Sequence, residues 1–267
     1  PYGLAGWTKD GEGVIVNHRY DLWYLSLDGE TATNITRGVG DEEEIRFRYT
    51  TLDREEEYID TDEPMLLSAY GEWTKKSGYY TLDMGKKARA LYYVDKSVGR
   101  LTKAREADRV VFTQETFEEF PDYYLANTRL QNQRKITDAN PQQAEYAWGR
   151  RILIDYTNSK GERLQGTLAL PPDYEEGKRY PMVVYFYEKM SQRHHNYSMP
   201  VYDDRPHAST YTSNGYLFFM PDNVYEEGRP GTSSLDCITS AVQEVIDQGY
   251  DDPDRIGIPP HAFKDLE

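Results

Sequence analysis

Five histidines, a single cysteine and a large set of tyrosines are the residues of this chain whose chemistry could build a site. His194-His195 suggests a metal, but adjacent histidines point to opposite sides of a strand, and no nearby Cys or carboxylate set completes a coordination sphere. No metal and no cofactor is therefore expected. His207 stands in a polar loop and reads as a surface or contact residue. His261 follows Pro259-Pro260, and a lone histidine beside two prolines is not a nucleophile–base pair. Cys237, next to Ile238 in a helix-patterned stretch, reads as a small buried apolar residue. A serine nucleophile on an α/β scaffold sits in a G-x-S-x-G turn directly after a strand, with Asp and His following. That motif occurs nowhere in the chain.

Charge and composition narrow the partners. A formal net charge of −15 at pH 7 argues against nucleic acid, which requires clustered Lys and Arg, and no polybasic patch addresses a membrane surface. Acidic runs such as Asp41-Glu42-Glu43-Glu44 and Glu55-Glu56-Glu57 read as solvated loops. No apolar run approaches the ~18 residues of a membrane span. A single Cys excludes an internal disulfide framework but leaves the compartment open.

The elements that must position any site fall into two patterns. In the first half, Tyr20–Gly29, Gly78–Asp83 and Asp122–Asn127 are aromatic-rich alternating stretches, each followed by a polar turn and a second strand. Gly13-Val14-Ile15-Val16 and Asp108–Thr113 precede two of these hairpins. A repeat of roughly 45 to 55 residues fits four-stranded propeller blades, and three such units are too few to close a propeller. Near Trp148 the pattern changes. Arg151–Tyr156 and Leu164–Leu170 form a hairpin around Ser159-Lys160-Gly161. Tyr180–Tyr187 and Gly215–Pro221 are near-continuous apolar runs, as in strands buried on both faces. Glu188 to Asn214 is polar, and its first part reads as an irregular connection. A helix follows Pro230-Gly231, capped by Ser233 or Ser234, with Leu235, Ile238, Ala241, Val242, Val245 and Ile246 on one face and Gly249 as its stop. Asp254 to Ile258 begins another strand. Strand, helix, strand at these lengths indicates a right-handed crossover.

Together Leu164-Gln165-Gly166-Thr167-Leu168, the run from Lys178 to Tyr187, Asn214-Gly215-Tyr216, Asp252–Gly257 and Asp138–Gln143 give the chain a family resemblance. It resembles the prolyl oligopeptidase family of serine peptidases, most closely the branch of dipeptidyl peptidase IV and the acylaminoacyl peptidases. The fold class this implies is a partial β-propeller of about three blades over 1–147, followed by a truncated α/β-hydrolase domain over 148–267. The resemblance further implies that Tyr187 donates its hydroxyl to the oxyanion of the tetrahedral intermediate. Tyr185, on the same side of the strand and one step deeper, is the alternative. Many members carry Gly-Gly-Pro or Ala-Gly-Pro after this tyrosine, whereas this chain has Glu188-Lys189-Met190.

The resemblance sets the nucleophile turn directly after Ile258, where the chain reads Pro259-Pro260-His261-Ala262. The Ser-Asp-His triad is therefore expected to be absent and the chain to be an inactive fragment of a peptidase that hydrolyses short peptides. Self-association through the exposed edge of the shortened sheet is expected as well. The family branch implies export, for example to a bacterial periplasm. The competing reading is a non-catalytic β-propeller protein that binds a peptide or a partner.

Overall fold

In a computed structural model, residues 2–53, 55–202 and 205–259 are described. His261 and its neighbours lie outside them. The chain divides into two compact units. Unit 1 runs through Gln114 and resumes over Pro121–Asp138, and unit 2 takes Glu115–Phe120 and the chain from Ala139.

Unit 1 is built from three antiparallel sheets in sequence order. The first holds β1 (Leu4–Trp7), β2 (Gly13–Asn17), β3 (Leu22–Ser26) and β4 (Ala32–Asn34). A short helix, α1 (Val39–Glu43), leads to the second sheet: β5 (Ile45–Thr50), β6 (Met65–Gly71), β7 (Ser77–Leu82) and β8 (Arg89–Val94). The third holds β9 (Ser97–Val98), β10 (Thr102–Lys103), β11 (Val110–Glu115), β12 (Asp122–Ala126) and β13 (Arg134–Lys135). Strict alternation drives this arrangement, as in β6, where Met65, Leu67 and Ala69 are buried and the intervening residues are half-exposed. Ile15, Leu22, Phe47, Leu67 and Leu82 share one core between the first two sheets, and Tyr79, Leu101, Val110 and Phe112 belong to a second core.

The first and third sheets share a lock that the hydrophobic pattern does not reveal. Asp21, just before β3, is 2 % exposed and accepts hydrogen bonds from the Thr36 hydroxyl (2.6 Å) and the Gly40 and Asp41 amides (3.0 and 3.3 Å). Thr36 Oγ1 in turn accepts the Leu22 amide. Asp122, at the same place in β12, accepts from the Thr137 hydroxyl (2.6 Å), and Thr137 Oγ1 accepts the Tyr123 amide. In both copies the aspartate and threonine are fifteen residues apart. Lys135 adds an ion pair to Asp122 at 2.7 Å. Gly40 is required by the first lock, since a Cβ there would approach Asp21 Oδ1 to 2.8 Å and the Ile45 carbonyl to 2.9 Å.

Unit 2 centres on one mixed sheet: β14 (Arg150–Thr157), β15 (Arg163–Leu170), β16 (Tyr180–Val184), β17 (Leu217–Pro221) and β18 (Asp251–Gly257), in spatial order β14-β15-β17-β16-β18. β14, β15 and β17 are successively antiparallel, whereas β16 runs parallel to both β17 and β18. Central β17 is buried along its whole length. Its side chains alternate between two cores, Leu217 and Phe219 with helix α3 (Pro230–Asp247) on one face, Phe218 and Met220 with helix α2 (Ala208–Ser213) on the other.

Several expectations need correction. α3 begins at Pro230, so Ser233 and Ser234 lie inside it and cap nothing at its start. Proline at the first turn forfeits no helical hydrogen bond. Ser233 instead donates back to the Arg229 carbonyl at 2.9 Å. Leu235, assigned to the apolar face, is 64 % exposed, whereas Cys237 is buried in the core as its pattern indicates. The last strand starts at Asp251 rather than Asp254, and among the described residues it pairs only with β16. The short helix α2 was not anticipated, because its Ser and Thr content favours turns over helices.

Asp251 inverts the logic of the aspartate locks. It is fully buried, and neither carboxylate oxygen has a hydrogen-bond partner. Burial pushes its pKa up, while the Arg179 charge opposes and the Asp252 charge reinforces that shift. A folded-state pKa above the unfolded one means that the folded chain holds the proton longer. Stability should therefore fall as pH rises from the ordinary carboxylate range through the raised value. We expect Asp251→Val to remove that slope and to raise Tm at neutral pH. Asp21→Ala should instead cost about 1–3 kcal/mol in denaturant unfolding, by orphaning buried donors. A neutral Asp21→Ala or a destabilising Asp251→Val would contradict this.

Candidate functional site

Three parallel strands bring their carboxyl ends to the same edge of the unit 2 sheet. From β16 the chain crosses to β17 on one side, and from β17 it returns past β16 to β18 on the other. Right-handed crossovers in opposite directions must use opposite faces, and α2 and α3 do lie on opposite faces. The ends of β16 and β17 thus flank a topological switch point, where open α/β sheets form their ligand crevices.

Tyr185 and Tyr187 follow β16 at this edge. The regular strand ends at Val184, but the Tyr185 amide still donates to the Phe219 carbonyl at 2.9 Å, which prolongs the pairing by one residue. Tyr185 is 8 % exposed, and its ring lies nearly parallel to that of Phe218. Tyr187 is 40 % exposed, with its ring edge-on to Tyr185 at 5.5 Å between centroids. The two tyrosines therefore occupy one side of the strand, the inner one packed and the outer one open to solvent. Burial and a hydrogen bond to Tyr187 push the Tyr185 pKa up to about 12.

The turn after Tyr187 is tied down on all sides. Its Glu188 carbonyl accepts the Asn223 amide at 2.5 Å. Asp222 Oδ1 accepts the Met190 and Ser191 amides, both at 2.7 Å, and Asp222 Oδ2 accepts the Ser191 hydroxyl at 2.6 Å. The 3-10 turn Ser191–Arg193 comes next, and Arg151 of β14 reaches its carboxyl side. Arg151 donates to the carbonyls of Arg193 (2.7 Å) and Asn196 (3.0 Å), with its guanidinium 4.2 Å from the centroid of the Phe117 ring. Burial, with Arg193 nearby, pushes the Arg151 pKa down to about 9. Tyr197 closes the segment, stacked on Trp148 at 5.1 Å and donating its amide to Glu115.

The histidine pair differs from expectation. His194 and His195 follow the 3-10 turn rather than lying on a strand, so their rings meet edge-on, 4.7 Å between centroids, instead of diverging. His194 Nδ1 lies 3.0 Å from the Thr167 hydroxyl. Among the described residues no three His, Cys, Asp or Glu side chains gather as a metal site. His207 precedes α2 and is half-buried. Asp222, Asn223, Ser191 and Arg151 escaped the sequence reading. The available signal was a polar pair, Asp222-Asn223, placed immediately after a fully apolar strand.

Two clefts lie away from this edge. One of about 990 Å³ in unit 1 is lined by residues of both charges, among them Glu56, Asp60, Arg100 and Lys103. The other, about 780 Å³, opens at the amino ends of β16 and β18 beside Tyr174, Arg179 and Tyr250. No helix among the described residues is long and apolar enough to cross a membrane.

No family model and no curated protein matches the sequence. Solved structures do match its fold. AtxE2 isopeptidase is 16 % identical, with a TM-score of 0.67 over 97 % of this chain and 41 % of its own. Dipeptidyl peptidase 4 of Porphyromonas gingivalis is 14 % identical, with a TM-score of 0.67 over 95 % of this chain and 37 % of its own. Acylaminoacyl peptidase of Pyrococcus horikoshii is 14 % identical, with a TM-score of 0.58 over 96 % and 40 %. This chain thus spans about two-fifths of the length of these structures. At such identities the likeness is one of fold: a mostly β chain with few helices, arranged as in part of these peptidases.

The tyrosine pair makes its own prediction. With 13C-labelled tyrosine, NMR titration should show Tyr185 protonated to about pH 12. Tyr187→Phe should lower that midpoint by removing the hydrogen-bond partner, while burial keeps it above the free phenol. An unchanged Tyr185 midpoint in Tyr187→Phe would show that the two hydroxyls do not interact.

Proposed function

We propose that this chain is part of a serine peptidase of the prolyl oligopeptidase type, acting on short peptides by acyl transfer. In this reading residues 1–147 contribute about three blades of a β-propeller, and residues 148–267 the first part of an α/β-hydrolase domain. The observation that carries it is the strand order of unit 2. Numbered within that sheet, the strands run first, second, fourth, third, fifth, with the last three parallel and a half-exposed tyrosine at the carboxyl end of the third. Support also comes from the similarity of fold to three peptidases.

Tyr187 is then the oxyanion donor. A serine hydroxyl attacks the scissile carbonyl, and negative charge develops on the carbonyl oxygen. A neutral phenol held beside that oxygen donates a hydrogen bond that strengthens as the charge grows. Tyr185 stands behind it, its ring edge-on to that of Tyr187 at 5.5 Å between centroids. The sequence carries no G-x-S-x-G turn, so the nucleophile and its Asp and His partners are assigned to a longer polypeptide. The 267-residue chain alone is assigned no activity.

The test is hydrolysis of chromogenic aminoacyl and dipeptidyl substrates by the protein encoded in the complete reading frame. Activity blocked by a fluorophosphonate is expected, with Tyr187→Phe lowering kcat by about 10²–10³-fold. The 267-residue chain alone should stay unlabelled by the same reagent. A Tyr187→Phe variant with full kcat would remove the tyrosine from the mechanism, and stoichiometric labelling of the chain alone would overturn the absence of a nucleophile.

A further inference from the structure

Tyr187 is 40 % exposed, so its own packing does little to hold it. A donor that must meet a developing charge tolerates little displacement, and a misplacement near 1 Å can cost on the order of 10²-fold in rate. What fixes this tyrosine has to come from the backbone on either side of it. On the amino side that is the Tyr185 amide on the Phe219 carbonyl. On the carboxyl side, three of the bonds that hold the turn end on one carboxylate.

We propose that Asp222 is a positioning residue for Tyr187: by gathering the Met190 and Ser191 amides and the Ser191 hydroxyl, it sets the turn that aims the phenol. Asp222 suits this role because its own backbone is anchored. It is 8 % exposed, its amide donates to the Gln165 carbonyl at 2.9 Å, and its carbonyl accepts the buried Tyr156 hydroxyl. The next residue extends the grip, with the Asn223 amide on the Glu188 carbonyl and the Asn223 side chain donating to Ser234 of α3 at 2.7 Å. Residues 185, 188, 190 and 191 are thus all referred to β17 and the two residues after it. The turn Glu188-Lys189-Met190 contains neither glycine nor proline, and the Asp222 carboxylate supplies the bonds that hold it.

This inference rests on Tyr187 being the oxyanion donor, and a double-mutant cycle in the complete protein separates the two claims. Asp222→Ala should lower kcat about 10- to 100-fold with KM little changed. Asp222→Asn, which keeps one oxygen for the two amides, should restore part of that loss. Ser191→Ala, which deletes one of the three bonds, should lose less than Asp222→Ala. Tyr187→Phe combined with Asp222→Ala should be no slower than Tyr187→Phe alone, because positioning an absent hydroxyl has no effect. Additive losses would overturn the positioning role and leave the donor intact, whereas full kcat in Tyr187→Phe would overturn the donor itself. In the 267-residue chain, hydrogen exchange at the Met190 and Ser191 amides should accelerate in Asp222→Ala, and less in Asp222→Asn, which keeps an oxygen for them. Unchanged protection would also overturn the inference.

Discussion

A buried carboxylate has to be saturated with hydrogen bonds or it destabilises the fold around it, and much of this structure follows from that constraint. Asp21 and Asp122 each meet it with a threonine fifteen residues further on, which ties the start of one strand to the residues after the next. Asp222 meets it with two successive amides and a serine hydroxyl. Apart from Lys135 of β13, the donors lie outside the sheet ladders, on the chain after β4 and the start of α1, just after β13, and on the turn after β16. The aspartates therefore define the path of segments that hydrophobic burial alone leaves undetermined. Asp251, buried without a partner, is the exception, and it sits where β18 begins.

Much of the framework was legible in the residues themselves. The alternation of β2, β3, β7 and β12 and the apolar runs of β16 and β17 announce strands because side-chain burial follows the backbone period. Gly161 and Gly249 mark a hairpin turn and a helix end, and both adopt positive φ. Less legible were features set by contacts far apart in sequence. The start of α3 was misjudged because serines resemble caps wherever they fall, while the proline three residues earlier begins the helix. Leu235 fits the helical period yet faces solvent, since periodicity gives a stripe but not its width.

The candidate site shows the same division. Tyr187 and Tyr185 could be singled out because they end a buried strand, and their shared side follows from the two-residue period. Asp222 could not be paired with Ser191 from the sequence, because only the parallel neighbours β16 and β17 bring residues thirty-one apart together. The meeting of His194 and His195 likewise depends on a 3-10 turn that polar residues do not advertise.

What emerges is a tyrosine hydroxyl at the switch point of a mixed sheet, backed by a second tyrosine and approached through a turn held by one aspartate. The most direct measurement is a structure of the complete protein inhibited by a peptidyl phosphonate, whose oxygen stands in for the oxyanion. Tyr187 Oη is expected about 2.7–3.1 Å from that oxygen, with the Asp222 bonds to Met190 and Ser191 intact. A phosphonate oxygen held by other donors, with Tyr187 turned away, would contradict it.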